Sequence, residues 1–212
     1  KLRILEETSR ISGIPAGGRW WNQAFLVSWQ GSYTVKNFLG VVPVEEDGSA
    51  YFEAPPGRAL YFQALDAEGR AIQSMRTFVK AVPGVTRSCI GCHEYKSSVP
   101  MDEGKIAEAQ TKPAARISRE SWGSGFVDYA TMIQPLWDKH CVSCHGGEKG
   151  IAGGIDLSGG WTWAFNISYE TLIKNTQVGF LNCVNEAVKT AEILPPKTHG
   201  SSAAPLTKLL MA

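Results

Sequence analysis

The sequence predicts an α+β protein of two domains, an N-terminal antiparallel β-sandwich followed by a mainly α-helical domain. Three observations predict it. Apolar runs bounded by glycine- and proline-containing turns fill residues 1–93, that pattern dissolves over 94–125, and apolar residues at helical spacing recur from 126 onward. With 212 residues, 43% of them hydrophobic and seven of them tryptophan, there is material for one large or two small cores.

The strands follow in order. Leu2 to Leu5 is a short apolar stretch. Phe38 to Val44 is closed by Glu45-Glu46-Asp47-Gly48, and Ala50 to Ala54 by Pro55-Pro56-Gly57. Ala59 to Leu65 ends at Asp66-Ala67-Glu68-Gly69, and Ala71 to Val79 at Pro83-Gly84. Consecutive hairpins of this kind need no crossover helix and suit an antiparallel sandwich. Residues 94–125 have no clear period and read as a linker over the surface. Beyond it, Val127, Ala130, Ile133 and Leu136/Trp137 form an apolar stripe expected to pack, with Pro135 kinking or restarting the helix. A glycine-rich loop follows from Gly146 to Gly160. Further helices are expected over Tyr169 to Asn175, over Asn185 to Ile193, and from Pro205 to Ala212 with Ser201 or Ser202 as cap.

Four of the five cysteines fall into two C-x-x-C-H units, Cys89-Ile90-Gly91-Cys92-His93 and Cys141-Val142-Ser143-Cys144-His145. Two thiols at this spacing add to the two vinyl groups of one porphyrin, and the adjacent imidazole lies beneath the iron. A structural zinc site built from both C-x-x-C pairs is one alternative, but it gives no reason for a His after each second Cys. A redox dithiol is another; it prefers one motif at a helix start in a βαβ context, which is absent. The expected cofactors are therefore two covalently attached haems c, bound by Cys89, Cys92 and His93 and by Cys141, Cys144 and His145. Helix, motif, loop and further helices is the order of a small cytochrome c domain. The expected division is a β-sandwich over 1–93 ending in the first haem motif, a linker over 94–125, and a cytochrome c-like domain over 126–212. Such haem attachment occurs outside the cytoplasm in bacteria, so a periplasmic or extracellular location is expected.

The strings LGVVPVEEDGSAYFEAPPGRALYFQALDAEGRAIQSMR and PGVTRSCIGCHE resemble the middle domain of the hydrazine synthase alpha subunit and its relatives. The strings WGSGFVDYATMIQPLWDKHCVSCHGG, GGIDLSG, SYETL and LPPKTHGSSAAPLTKLL resemble the haem domain that follows it. The resemblance runs from about residue 35 to 212. It implies a dihaem cytochrome c of middle domain plus C-terminal cytochrome c domain. The β-propeller that usually precedes these domains is expected to be missing, and the sequence is expected to be a mature or trimmed piece of something longer. The resemblance also brings in a tyrosinate as haem ligand, which makes Tyr95 a candidate, although it stands only two residues from His93.

Each iron needs a fifth ligand and has room for a sixth. Of the four histidines, His93 and His145 are the proximal candidates. His199, in a Pro/Gly/Ser loop, is either the distal ligand of the second haem or an exposed loop residue. His140 is too near Cys141 to fold over its own haem easily, and is open as a ligand of a neighbouring haem, a propionate partner or a partly exposed helix-end residue. Met101 is a soft alternative ligand at the first. Cys183 reads as a buried, inert thiol, and Trp161 and Trp163 as packing.

The function expected is single-electron transfer outside the cytoplasm by a dihaem c-type cytochrome. The alternative is a haem enzyme, or enzyme subunit, acting on a small nitrogen compound as in hydrazine synthase. Expected partners are redox proteins, other haem subunits among them, and an oligomer or filament is open if the chain is one unit of a haem wire. With 21 basic against 20 acidic residues, no nucleic-acid partner is expected. No apolar run approaches the ~20 residues that span a bilayer, so no membrane span is expected.

Overall fold

In a computed structural model of the chain, the described residues are 1–8, 35–75, 78–90, 104–146, 152–163, 165–174, 195–198 and 200–212. They divide into two compact units. The first holds 1–8, 35–75, 78–90, 104–126 and 195–198, and the second holds 127–146, 152–163, 165–174 and 200–212.

The first unit is one antiparallel sheet of six strands: β1 (Leu2–Glu7), β2 (Lys36–Val42), β3 (Ala59–Leu65), β4 (Ala71–Ser74), β5 (Val79–Lys80) and β6 (Gly125–Phe126). Their order is β4-β3-β1-β2-β6, with β5 also pairing with β3. The β-branched and aromatic residues of β1, β2 and β3 explain why these runs pair. Strand β1 is central, with Leu2 opposite Val42 on one side and Ala64 on the other. Ile4, Val42 and Leu60 form the buried core, joined by Leu39, Phe52, Phe62 and Ile117. All described strands lie in this single sheet, whereas the sequence predicts two packed sheets.

The described part of the expected linker joins this sheet. Val41 and Ser118 exchange backbone hydrogen bonds of 2.8 and 3.0 Å. Ala115 N–H donates to Tyr51 O, and Glu53 N–H to Ala115 O, both at 2.9 Å. The stretch Ala50 to Ala54, expected as a strand, makes only this isolated parallel bridge of Phe52 with Ala115. Arg3 explains the anchoring. Its guanidinium pairs twice with the Glu120 carboxylate, at 2.5 and 2.7 Å, and lies 5.6 Å from the Phe38 ring centroid. Trp122 donates to the same carboxylate at 3.2 Å and meets Phe38 edge-on. An irregular stretch thereby covers the edge of β2 without any periodic pattern to announce it.

Gly40 makes the approach feasible. It sits at φ +141°, beside the register shift between Ile4 and Leu5, and a Cβ there would lie 2.1 Å from the Ser118 carbonyl oxygen. Segment 195–198 also belongs to this unit. Lys197 N–H donates to Ile72 O at 3.0 Å and its ammonium to Asp66 at 2.8 Å. That contact, with burial opposing it, holds the Asp66 carboxyl far below its usual range.

The second unit carries short helices: a π-helical turn Tyr129–Ile133, then α1 (Gln134–His140), α2 (Val142–His145), α3 (Ile167–Lys174) and α4 (Pro205–Leu210). Asp128 caps the π turn by accepting from Thr131 N–H and Oγ1 at 2.8 and 2.7 Å. Pro135 stands in the first turn of α1, where its missing N–H costs nothing, so it restarts the helix. The wider π turn shifts the helical phase. Beyond it Leu136 is exposed while Gln134 is buried, and Val127, ahead of the turn, is exposed as well. α4 begins after Ala204 with no side-chain cap, so neither Ser201 nor Ser202 serves as one; Pro205 supplies the start instead. The helix expected over Asn185 to Ile193 lies outside the described residues. Among the described residues, no helix is long and apolar enough to cross a membrane.

Two outcomes follow. Gly40→Ala should destabilise the sheet unit by at least about 2 kcal/mol, since both its φ and its contact with Ser118 forbid a side chain; urea unfolding followed by circular dichroism reads it, and an unchanged midpoint contradicts it. For Glu120, burial disfavours the charge, but the Arg3 contact outweighs it and the carboxyl titrates below its usual value. The stabilisation is therefore complete above the unfolded Glu range and lost as pH falls toward the lower folded value. Glu120→Gln should flatten this acid limb of the stability–pH curve; an acid limb as steep as that of the unsubstituted protein contradicts it.

Candidate haem site

The second C-x-x-C-H motif occupies the junction of α1 and α2. Cys141 closes α1, its N–H bonded to Trp137 O at 2.8 Å, and opens α2 with φ −129°. Cys144 and His145 N–H groups both bond back to Cys141 O, at 3.1 and 2.9 Å. The motif is thus a single helical turn, with two free thiols three residues apart on neighbouring positions. Cys144 is exposed and Cys141 half-buried. His140 ends α1 and is exposed.

His145 is held by the loop that follows. Its Nδ1 lies 3.3 Å from Ile155 O, and its carbonyl accepts from Leu157 N–H at 2.6 Å. With Nδ1 carrying the proton toward Ile155, Nε2 is the ring nitrogen left for a metal, the tautomer that an iron-bound imidazole needs. The surroundings fit a large flat apolar group. Among the described residues of this unit, Leu157, Leu172 and Ala204 are the buried apolar side chains, whereas Trp161 is 67% and Trp163 87% exposed. Val127, Met132 and Leu136 are exposed as well. A porphyrin would supply an apolar partner for these exposed side chains.

A buried polar chain backs the motif, and the sequence reading missed it. Trp137 Nε1 donates to Tyr129 OH at 2.9 Å, and Tyr129 OH lies 3.1 Å from Ser168 Oγ. Ser168 donates to Gln134 Oε1 at 2.5 Å, and Gln134 Nε2 donates to Asp138 Oδ1 at 2.8 Å and to Leu157 O at 2.9 Å. Because Ser168 spends its proton on Gln134, Tyr129 must donate to Ser168. Burial pushes the Tyr129 phenol up, which keeps it protonated for that role. The available signal was Gln134 itself, a polar residue in the middle of an apolar helical stripe. The turn before α3 is braced separately. Thr162 Oγ1 donates to Glu170 Oε1 at 2.5 Å, and Glu170 pairs with Lys174 at 2.6 Å.

For the first motif, Cys89 is exposed at the end of the segment after β5. Cys92, His93, Tyr95, Met101, Cys183 and His199 lie outside the described residues, and the expectations for them stand as expectations. The polar chain gives a direct test. Tyr129→Phe strands the Trp137 N–H and removes the bond that Ser168 accepts, and it should cost about 1–3 kcal/mol of stability, measured by denaturant unfolding; a neutral substitution contradicts this account.

Residues 1–94 match the family described as the hydrazine synthase alpha subunit middle domain. Among solved structures, the chain is similar to the hydrazine synthase of Kuenenia stuttgartiensis, with a TM-score of 0.54 and 16% sequence identity. The likeness covers 97% of this chain and 33% of that one, so the chain spans about a third of the solved protein's length. No curated protein matches the sequence. The chain is thus similar to the hydrazine synthase alpha subunit middle domain over residues 1–94, and it shares the fold of the solved hydrazine synthase along almost its whole length.

Proposed function

We propose that the chain is a dihaem c-type cytochrome that transfers single electrons outside the cytoplasm, in the periplasm or extracellularly. The observation that carries this reading is the one-turn geometry of Cys141, Cys144 and His145, with the His145 Nδ1 directed at Ile155 O. When bound, haem supplies a reversible one-electron couple. The residues do the rest. Cys141 and Cys144 tether the group through thioether links, His145 ligates from beneath, and Ile155 holds its ring. Cys89, Cys92 and His93 take the same roles at the first haem. His199 is proposed as distal ligand of the second haem, and Tyr95 as a candidate ligand at the first. The helical unit is proposed as a cytochrome c-like domain, with Trp161 and Trp163 excluding water from the haem edge. Partners are redox proteins, other haem subunits among them, and an oligomer or filament follows if the chain is one unit of a haem wire.

A second reading is a haem enzyme, or a subunit of one, acting on a small nitrogen compound. The likeness to hydrazine synthase along 97% of the chain favours it. The two readings differ at the sixth coordination position. A filled position suits electron transfer, because little reorganises when iron changes oxidation state, and an open one suits catalysis. Optical spectra of oxidised and reduced protein should show both haems low-spin and indifferent to carbon monoxide. A high-spin band, with carbon monoxide bound at one haem, overturns the electron-transfer reading in favour of the second.

A further inference from the structure

We propose that Gln134 is a positioning residue for His145, fixing the loop that hydrogen-bonds the imidazole and thereby setting the reduction potential at the second motif. The inference rests on the haem reading above and goes beyond it by naming what controls the ligand.

Gln134 is 4% exposed, in the first turn of α1 and seven positions before Cys141. A buried amide is tolerated only when its donors and acceptor are engaged, and here all are. Nε2 donates to Asp138 Oδ1 and Leu157 O, and Oε1 accepts from Ser168, which is 0% exposed. The amide has one workable orientation. Flipping it would set Oε1 against a carboxylate and a carbonyl, two acceptors with no proton between them.

The consequence lies in what Leu157 does next. Its carbonyl is held by Gln134, while its N–H donates to His145 O at 2.6 Å. Two residues earlier on the same loop, Ile155 O faces His145 Nδ1 at 3.3 Å. Two residues later, Gly159 lies so close that a Cβ would meet Gln134 Cγ at 3.1 Å. On its far side the loop is fastened to α3, with Ser168 N–H donating to Ser158 O at 3.3 Å and Ile167 N–H to Gly160 O at 2.8 Å. Gln134 is the side chain that joins both fastenings, through Ser168 and through Leu157. Its loss frees the loop on the α1 side and lets Ile155 O move from Nδ1. An imidazole that gives up that hydrogen bond is a weaker donor to ferric iron, so the potential rises.

The test uses the haem-loaded full chain, with two haems first counted by intact mass. Gln134→Met keeps the length of the side chain and removes every polar contact. Ser168→Ala is the milder variant and carries the test should Gln134→Met fail to fold. Leu172→Ala is the control, because Leu172 is buried on the same α3 but makes no polar contact with the loop. Spectroelectrochemistry reads the potential of each haem, and NMR reads exchange of the His145 ring proton in the reduced protein. Gln134→Met should shift the potential of the second haem upward and speed ring-proton exchange, with the first haem unmoved. Ser168→Ala should do the same to a smaller extent, while Leu172→Ala lowers stability and moves neither readout. An unshifted potential and exchange rate in Gln134→Met overturns the proposal, as does an equal shift in Leu172→Ala. A single haem in the unsubstituted protein overturns the haem reading itself, and the proposal with it; mass reports that outcome before any potential is measured.

Discussion

The hydrogen bond between His145 Nδ1 and the Ile155 carbonyl is the contact on which the helical unit turns. It sets the tautomer of the ring, and it ties the motif to a loop that Gln134 and α3 also hold. Everything around it serves that loop. Leu157 returns a bond to the His145 backbone, Gln134 holds Leu157, and Ser168 holds Gln134 from α3. The chain of donors then runs back through Tyr129 to Trp137, one turn before Cys141. A polar network of this kind is costly when half-satisfied and rigid when complete. Here each described member has its partner, and among the described residues of the unit only Leu157, Leu172 and Ala204 are buried apolar side chains.

The sheet unit solves a different problem, the protection of an edge. The outer edge of β2 would present unpaired backbone groups, and it is covered by Ser118, which bridges Val41, and by β6, which pairs with Asn37 and Phe38. That cover is irregular, so its position comes from side chains: the Arg3–Glu120 pair, the Trp122 contacts, and the absence of a Cβ at Gly40. The described residues within the family match, 1–8, 35–75 and 78–90, belong to this unit, while the C-x-x-C-H turn of Cys141 to His145 belongs to the other. The chemistry proposed depends on the motif residues of both stretches, the first of which, Cys89 to His93, lies within the family match.

How much of this was legible in the sequence differs by element. β3 was readable to the residue, Ala59 to Leu65, because its apolar run lies between the turn Pro55-Pro56-Gly57 and the turn Asp66-Ala67-Glu68-Gly69. β1 and β2 were readable in place though not in extent. Ala50 to Ala54 was misread as a strand, since an apolar run bounded by turns describes a packed irregular segment equally well. The described linker residues were misread for the opposite reason, having no period although Ser118 and Ala115 pair with the sheet. The helical stripe was legible in part: Ala130, Ile133 and Trp137 are half-buried, but Val127 and Leu136 are exposed, and a π turn departs from the fixed 3.6-residue spacing that the reading assumed. The C-x-x-C-H words were plain in the sequence, but the partner of His145 was not. Ile155 acts through its backbone carbonyl, which no side-chain pattern can announce, and only the buried polar Gln134 hinted at the network behind it.

The central claim is chemical, that paired thiols of this chain carry porphyrin. The most direct measurement is the mass of the intact, denatured polypeptide after purification from a host able to mature c-type cytochromes. The account predicts a single species heavier than the bare chain by two iron porphyrins, surviving acid and organic solvent because the links are covalent. A bare mass, or a mass raised only by zinc under native conditions, contradicts it.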